Sequence, residues 1–490
     1  MIKKVLYVTG ILSIVLLSFI LFFFLINNST KFGKHAKEVN NRIEQVENGL
    51  MGWVQTPAQE LKWSIEERMA SYKVPGVSVA VINNYQIEWA KGYGWADIEE
   101  QRPVTVKTLF QAASISKSLN AVGVLRLAQE GKIEMDEDIN KYLTSWQFPY
   151  DSLTGGQKIS TSNLLSHTAG LSINGFPGYE RGVALPSIIE VLDGVPPANT
   201  RAVRSRFEPG IRVQYSGGGT TVSQLIVEDI TQQPYDKYMQ EKVLNPLKML
   251  GSSYSQPPTT DAQLLTTAYT YNGDEVKGKY HIYPEQAAAG LWTNPTDLAR
   301  YIIELQRSYK GRSNKVLSPK MAQLMLTPYL KDTTAALGLF IEKAGGETYF
   351  QHSGSNEGYL CQYYGNLSDG RGVVVMTNSN NSGIVREIIN SVATVYNWEG
   401  FYNPIIKEPV NGIAFESYIG KYETDRGATY TIVERGGQLF LENNLSWPIY
   451  FTSEQEFFIS GARGERKFTF DDKGAVTGFT VGNTIANKIE

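Results

Sequence analysis

The sequence predicts an α/β protein whose sheet is interrupted by a long helical insertion, with an all-β segment after it and a membrane-spanning helix before it. Three observations predict this. A β-hairpin pattern over 77–92 and strand patterns between 337 and 377 bracket a mostly helical region. Short strands separated by turns fill residues 410–490. An uncharged run rich in Leu, Ile and Phe occupies residues 5–26.

Length and composition bound the possibilities. At 490 residues the chain is too long for one ordinary domain. With 42% hydrophobic and 19% charged residues it has the make-up of a globular protein. A net charge of -3 leaves no electrostatic footprint for nucleic acid, so no such partner is expected. The single cysteine, Cys361, can form no internal disulfide and no Cys-based metal site, and is expected as a small buried apolar group. His35, His167, His281 and His352 are scattered without metal-ligand spacing, so neither a metal nor another cofactor is expected.

The elements follow in order. Residues 5–26 come after Lys3 and Lys4 and, as a helix rising about 1.5 Å per residue, reach roughly 30 Å, enough to cross a bilayer. No small-x-small cleavage site ends the run, which favours an uncleaved anchor over 1–27 rather than a signal peptide. The short basic tail suggests a single-pass protein of the cell membrane with its bulk exported, although Lys31, Lys34 and Lys37 blunt that bias. In 28–55, Val39, Ile43, Val46 and Leu50 make a helical stripe, read as a docking helix or, less readily, a stalk. Thr56 and Pro57 look like an N-cap and first helical residue, opening a helix with Leu61, Ile65 and Met69 on its buried face, ended by Pro75 and Gly76. The hairpin follows, then helices over 114–326, strands at 337–343, 348–352, 360–364 and 372–377, and a helix over 385–398. Hairpin first and strands last require the two ends of this 56–402 unit to meet in one sheet. Residues 403–409 read as a linker, and 410–490 as an antiparallel meander or small barrel with turns at Gly436-Gly437 and 471–474.

Three motifs carry chemistry. Ser114 and Lys117 are three apart at a helix start, which places both on one face about 5–6 Å apart and gives a hydroxyl a base within reach. Tyr215-Ser216-Gly217 offers a phenol that a neighbouring ammonium would acidify. His352-Ser353-Gly354-Ser355 ends a predicted strand, where Gly354 would let substrate approach main-chain N–H groups of an oxyanion hole. Each has a bland counterpart: a surface Ser–Lys pair, a packed Tyr, a structural His.

In this order the three motifs resemble the signatures of the β-lactamase-related serine hydrolases, which include class C β-lactamases, penicillin-binding D-alanyl-D-alanine peptidases and related esterases. Residues 108–117, 164–171, 245–249 and 290–292 also look familial, and the resemblance spans about 56–402. It implies a β-lactamase/transpeptidase-like antiparallel sheet with flanking helices and a helical insertion. It also implies an acyl-enzyme on Ser114, proton transfer by Lys117 and Tyr215, and an oxyanion hole from the N–H groups of Ser114 and Ser355. Two positions depart from the pattern. Gly217 stands where the family usually has Asn, and His352 where it usually has a Lys that attracts a substrate carboxylate. The expectation is therefore an esterase or peptidase-like amidase with weak or no β-lactamase activity, acting on a small molecule or cell-wall peptide. His352, with an ordinary imidazole pKa, would help carboxylate substrates as pH falls toward 6. The alternative is an inactive cell-wall binding or regulatory protein.

Overall fold

The computed structural model describes residues 35–490 except 59, 426, 444, 465 and 483. The expected anchor over 5–26 lies outside the described residues. Among the described residues no helix is long and apolar enough to cross a membrane.

The sheet contains β1 (Gly76–Asn83), β2 (Gln86–Asp97), β3 (Arg102–Pro103), β4 (Phe340–Ala344), β5 (Glu347–Asn356), β6 (Tyr359–Asn366) and β7 (Gly372–Thr377). Its spatial order is β3-β2-β1-β7-β6-β5-β4, with every pairing antiparallel. The early β1 pairs with the late β7, Val77 opposite Thr377 and Ile82 opposite Gly372, so the two ends of the unit do close one sheet. These strands are apolar at nearly every position because both faces are covered. Val77, Val79, Val81, Val373 and Val375 face one cluster, while Ala80, Ile82, Val374 and Met376 face the other.

The first of those clusters is roofed by α1 (residues 35–47), α2 (Ile65–Ser71) and α7 (Gly383–Val395). Val46 and Leu50 are buried there, so the stripe read from the sequence docks on the sheet. The helix expected to be capped by Thr56 is instead capped eight residues later. Ser64 caps α2, its Oγ accepting from the Glu67 N–H while the Glu67 carboxylate accepts from the Ser64 N–H. The reciprocal pair satisfies two donors that Thr56 and Pro57 leave untouched. Buried Arg68 then donates twice to Glu387, at 2.6 and 2.5 Å, tying α2 to α7. The opposite face carries α3 (Ser116–Gln129), α4 (Gly217–Thr231), the short α5 (Gln286–Ala289) and α6 (Pro295–Tyr309), all from the insertion or its borders.

The C-terminal segment is a nine-stranded antiparallel sheet around an aromatic core that includes Tyr418, Tyr422, Phe457, Phe468 and Phe479. Its two edge strands, Ser446–Pro448 and Tyr450–Phe451, flank the single residue Ile449. The sheet therefore curls until its edges meet, a nearly closed barrel. The strands Ser446–Pro448 and Thr484–Lys488 were not among those the sequence pattern distinguished. Ile405–Ile406, in the expected linker, pairs with Val54–Gln55. Trp447 of the barrel packs edge-on against Tyr72, ring centres 5.2 Å apart, and the Trp53 N–H donates to Ser460 O at 2.8 Å.

Candidate active site

Ser114 sits in a single 3-10 turn, Ala113–Ile115, between the strand Phe110–Gln111 and the start of α3. Ala113, just before it, is held at φ +48°, the left-handed region that a residue with a side chain adopts only under constraint. That turn lies directly on β5. A Cβ at Gly354 would come within 2.2 Å of Ala112 O and 2.7 Å of Cys361 Sγ. Glycine is needed there to let the Ser114 turn close onto the strand, a reason separate from the substrate approach read from the sequence, and Gly354 also lines the cleft. Cys361 is buried behind it, its Sγ donating to Ala112 O at 3.0 Å.

One helical turn on, Lys117 Nζ donates to Ser114 Oγ at 3.0 Å and to Ala288 O of α5 at 2.7 Å. Only 3% exposed, the amine has its pKa pushed down to about 7 by burial. Tyr215 precedes α4, whose N-cap Ser216 accepts from the Gly219 N–H at 2.9 Å. The tyrosine ring lies 5.0 Å from Lys117 Nζ and packs among His167, Phe340 and His352. Burial raises its pKa, and a hydrogen bond with Ser114 pulls it only partly back. The sequence pointed to an ammonium beside a phenolate. The structure reverses the pair, with an amine that readily gives up its proton and a phenol that keeps its own.

His352 differs from expectation as well. It is 2% exposed, and its Nδ1 lies 2.6 Å from Ser353 O, which makes Nδ1 the protonated nitrogen. Its Nε2 is buried without a hydrogen-bond partner among the described residues. Burial, then repulsion from Lys117, drive its pKa down to about 3, so it does not charge between pH 6 and 8. The expected gain for carboxylate substrates toward pH 6 loses its basis. β5 alternates, turning His352 and Gly354 inward while Ser353 and Ser355 are exposed to a cleft of about 540 Å³. Ser114, Tyr215, Phe340 and Gln362 also line it.

Gly217 opens α4, its N–H donating to Asn174 O at 3.0 Å. A Cβ there would meet that oxygen at 3.0 Å and the Phe176 ring at 3.1 Å, leaving little room for the family's usual Asn. Two residues with no role assigned from the sequence complete the site. Asn174 lines the cleft from the loop beside Gly217. His167, at φ +60°, accepts from the Ser216 N–H at 3.2 Å through Nδ1 and packs its ring 4.3 Å from that of Tyr215. It lies in the stretch 164–171 that looked familial, but neither residue stands in a motif whose chemistry could be derived.

A serine one turn ahead of a buried lysine, facing a tyrosine from a helical insertion, defines a class, the serine hydrolases with a Ser-Lys-Tyr centre. The chain belongs to the Beta-lactamase family, whose model matches residues 63–392. It is 25% identical over 340 residues to Protein flp of Staphylococcus aureus strain N315, covering 66% of this chain and 63% of that protein's length. It is 24% identical over 307 residues to a putative D-alanyl-D-alanine carboxypeptidase of Escherichia coli O157:H7, covering 56% and 70%. In fold it is similar to the octameric penicillin-binding protein homologue from Pyrococcus abyssi, with TM-score 0.60, 22% identity and coverage of 86% and 98%. D-amino acid amidase from Ochrobactrum anthropi SV3 has the same fold, with TM-score 0.57, 20% identity and coverage of 73% and 98%.

Proposed function

We propose that the protein hydrolyses an ester or amide through an acyl-enzyme on Ser114. The observation that carries this is the buried Lys117 amine, donating to Ser114 Oγ and with its pKa brought to about 7 by burial. In its neutral form Lys117 takes the Ser114 proton as Oγ attacks the carbonyl. The Tyr215 hydroxyl, hydrogen-bonded to Ser114, relays that proton: it gives its own to the leaving group and regains one from Lys117, so the amine is neutral and the phenol intact when the alcohol or amine departs. The N–H groups of Ser114 and Ser355 hold the developing oxyanion. Water then repeats the sequence in reverse to release the acid. Because His352 presents a neutral, buried imidazole, the third motif adds no cation for a penicillin carboxylate, which supports an esterase or amidase over a β-lactamase. The carboxypeptidase and amidase among the similar proteins fit a small-molecule or cell-wall peptide substrate. A hydrolysis screen of p-nitrophenyl esters, D-amino-acid amides and nitrocefin tests this. Turnover of the first two should exceed that of nitrocefin, and rapid nitrocefin hydrolysis alone would contradict the reading.

Anchoring is the second half of the proposal. The uncharged run over 5–26 after Lys3 and Lys4 supports a single-pass helix with the hydrolase unit and barrel exported. The full chain should stay in the membrane fraction through alkaline carbonate. A mature N-terminus mapped beyond residue 26 would make the run a signal peptide instead.

A further inference from the structure

A second cavity, of about 280 Å³, opens where the barrel meets the sheet. Gln362 and Ser382 line both it and the catalytic cleft, so the two spaces adjoin. Among the described residues no arginine or lysine lines the catalytic cleft, Lys117 lying buried behind Ser114. The adjoining cavity has Arg386, in the first turn of α7, with Trp53 and the barrel's Gly461 on its outer side. The Arg386 guanidinium donates to the Tyr364 hydroxyl at 3.1 Å and lies 5.3 Å from the Trp53 ring centre. Among the described residues it is in no ion pair. Glu387 also lines the cavity, but its carboxylate is taken by Arg68. Glu342 reaches Arg386 only at second hand, as acceptor of the Tyr364 hydroxyl at 3.1 Å. On the other side of the junction the barrel's Arg463 stacks 3.8 Å from the Trp53 ring centre, a second guanidinium without an ion pair among the described residues.

The geometry points to an outer substrate subsite between α7 and the barrel, in which Arg386 holds an oxyanion, carboxylate or phosphate, on an arm of the substrate remote from the scissile bond. This rests on the hydrolase reading above and deepens it. An unpaired guanidinium with its fork partly free is suited to bidentate oxyanions. Here it opens onto space that adjoins the Ser114 cleft across Gln362 and Ser382, with the barrel's Gly461 in the lining. The barrel thereby acquires a role in selecting substrate.

The test compares p-nitrophenyl esters of equal length whose acyl chains end in a carboxylate, a phosphate or a neutral amide. In the wild type, kcat/KM for at least one anionic ester should exceed that of the amide-ended ester by about tenfold, chiefly through KM. Carboxylate and phosphate arms separate the two sources of charge. Arg386→Gln should bring the ratio close to one, while Arg386→Lys should restore part of it and so exclude misfolding as the cause. Binding of the corresponding non-hydrolysable amides to the Ser114→Ala protein, with and without Arg386→Gln, reads the subsite independently of turnover. A ratio and a binding preference both unmoved by Arg386→Gln would overturn the subsite. Preserved binding preference without any turnover by the wild type would support the subsite and defeat the hydrolase reading instead.

Discussion

At the scale of single residues, the chemistry turns on how far burial shifts two neighbouring groups. Lys117 is driven down to about 7 from a usual 10.5, while Tyr215 is raised. Because the base acts unprotonated, kcat/KM for a neutral ester should rise through pH 7 and level off above pH 8. His352 and His167, both lowered, should add no second limb in that range. The same shift has a cost in stability. Below pH 7 both folded and unfolded chains carry the lysine proton, and the fold bears the full penalty of a buried ammonium. Between pH 7 and 10.5 the unfolded chain holds more protons, so stability contributed at this site rises with pH. Lys117→Met should therefore abolish activity yet raise stability, most at pH 6 and least near pH 10, by about 0.5–2 kcal/mol at neutral pH, seen as a higher Tm. Ser116, which shares the first motif with Ser114, has a different task. Its buried Oγ accepts from the Leu291 N–H at 3.0 Å. Ser116→Ala should lower stability by about 1–3 kcal/mol while leaving the chemical step intact, a separation that thermal melts and kcat together would reveal. The proximity of Ser114 and Lys117 was legible because spacing on a helix dictates it. The state of His352 was not, since Tyr215, Phe340 and Lys117, which surround it, come from other elements and no local pattern encodes that packing.

Among the elements, the most telling contact is that of β5 with the nucleophile turn. Gly354→Ala would force a methyl group against Ala112 O, which is main chain and has nowhere to go. Displacing that turn should cost on the order of 1–3 kcal/mol and reduce acylation sharply, since Ser114 moves with Ala112. A crystal structure or the acylation rate of the variant checks this. α2 shows why one boundary was misread. Thr56-Pro57 has the composition of a helix start, but Ser64 and Glu67 have the reciprocal spacing that satisfies donors, and the helix begins there. Ser64→Ala should cost about 1 kcal/mol, measurable by denaturant unfolding. The nearly continuous apolar runs of β1 and β7 suit central strands covered on both faces, and the sequence required the two ends to meet in one sheet without giving this particular pairing.

For the whole molecule, the sheet was readable as the meeting of two distant ends, whereas closure of the barrel was not. Closure depends on the three-residue edge strand Ser446–Pro448, across Ile449 from Tyr450–Phe451, which is too short to register as periodicity. The N-terminal segment carries a practical correction. Val46, Leu50, Met51 and Val54 are buried in the folded unit, so a soluble form should begin near residue 35, not at Thr56. A protein starting at Thr56 is expected to melt several degrees lower or to aggregate. All of this depends on Ser114 being the residue that becomes acylated. The direct measurement is reaction of the protein lacking the first 34 residues with a fluorophosphonate, followed by mass spectrometry of the intact protein and its peptides. The account predicts one adduct per chain, on the peptide bearing Ser114, absent from Ser114→Ala and slowed severely in Lys117→Ala. An adduct on another serine, or Ser114→Ala labelled at the wild-type rate, would contradict it.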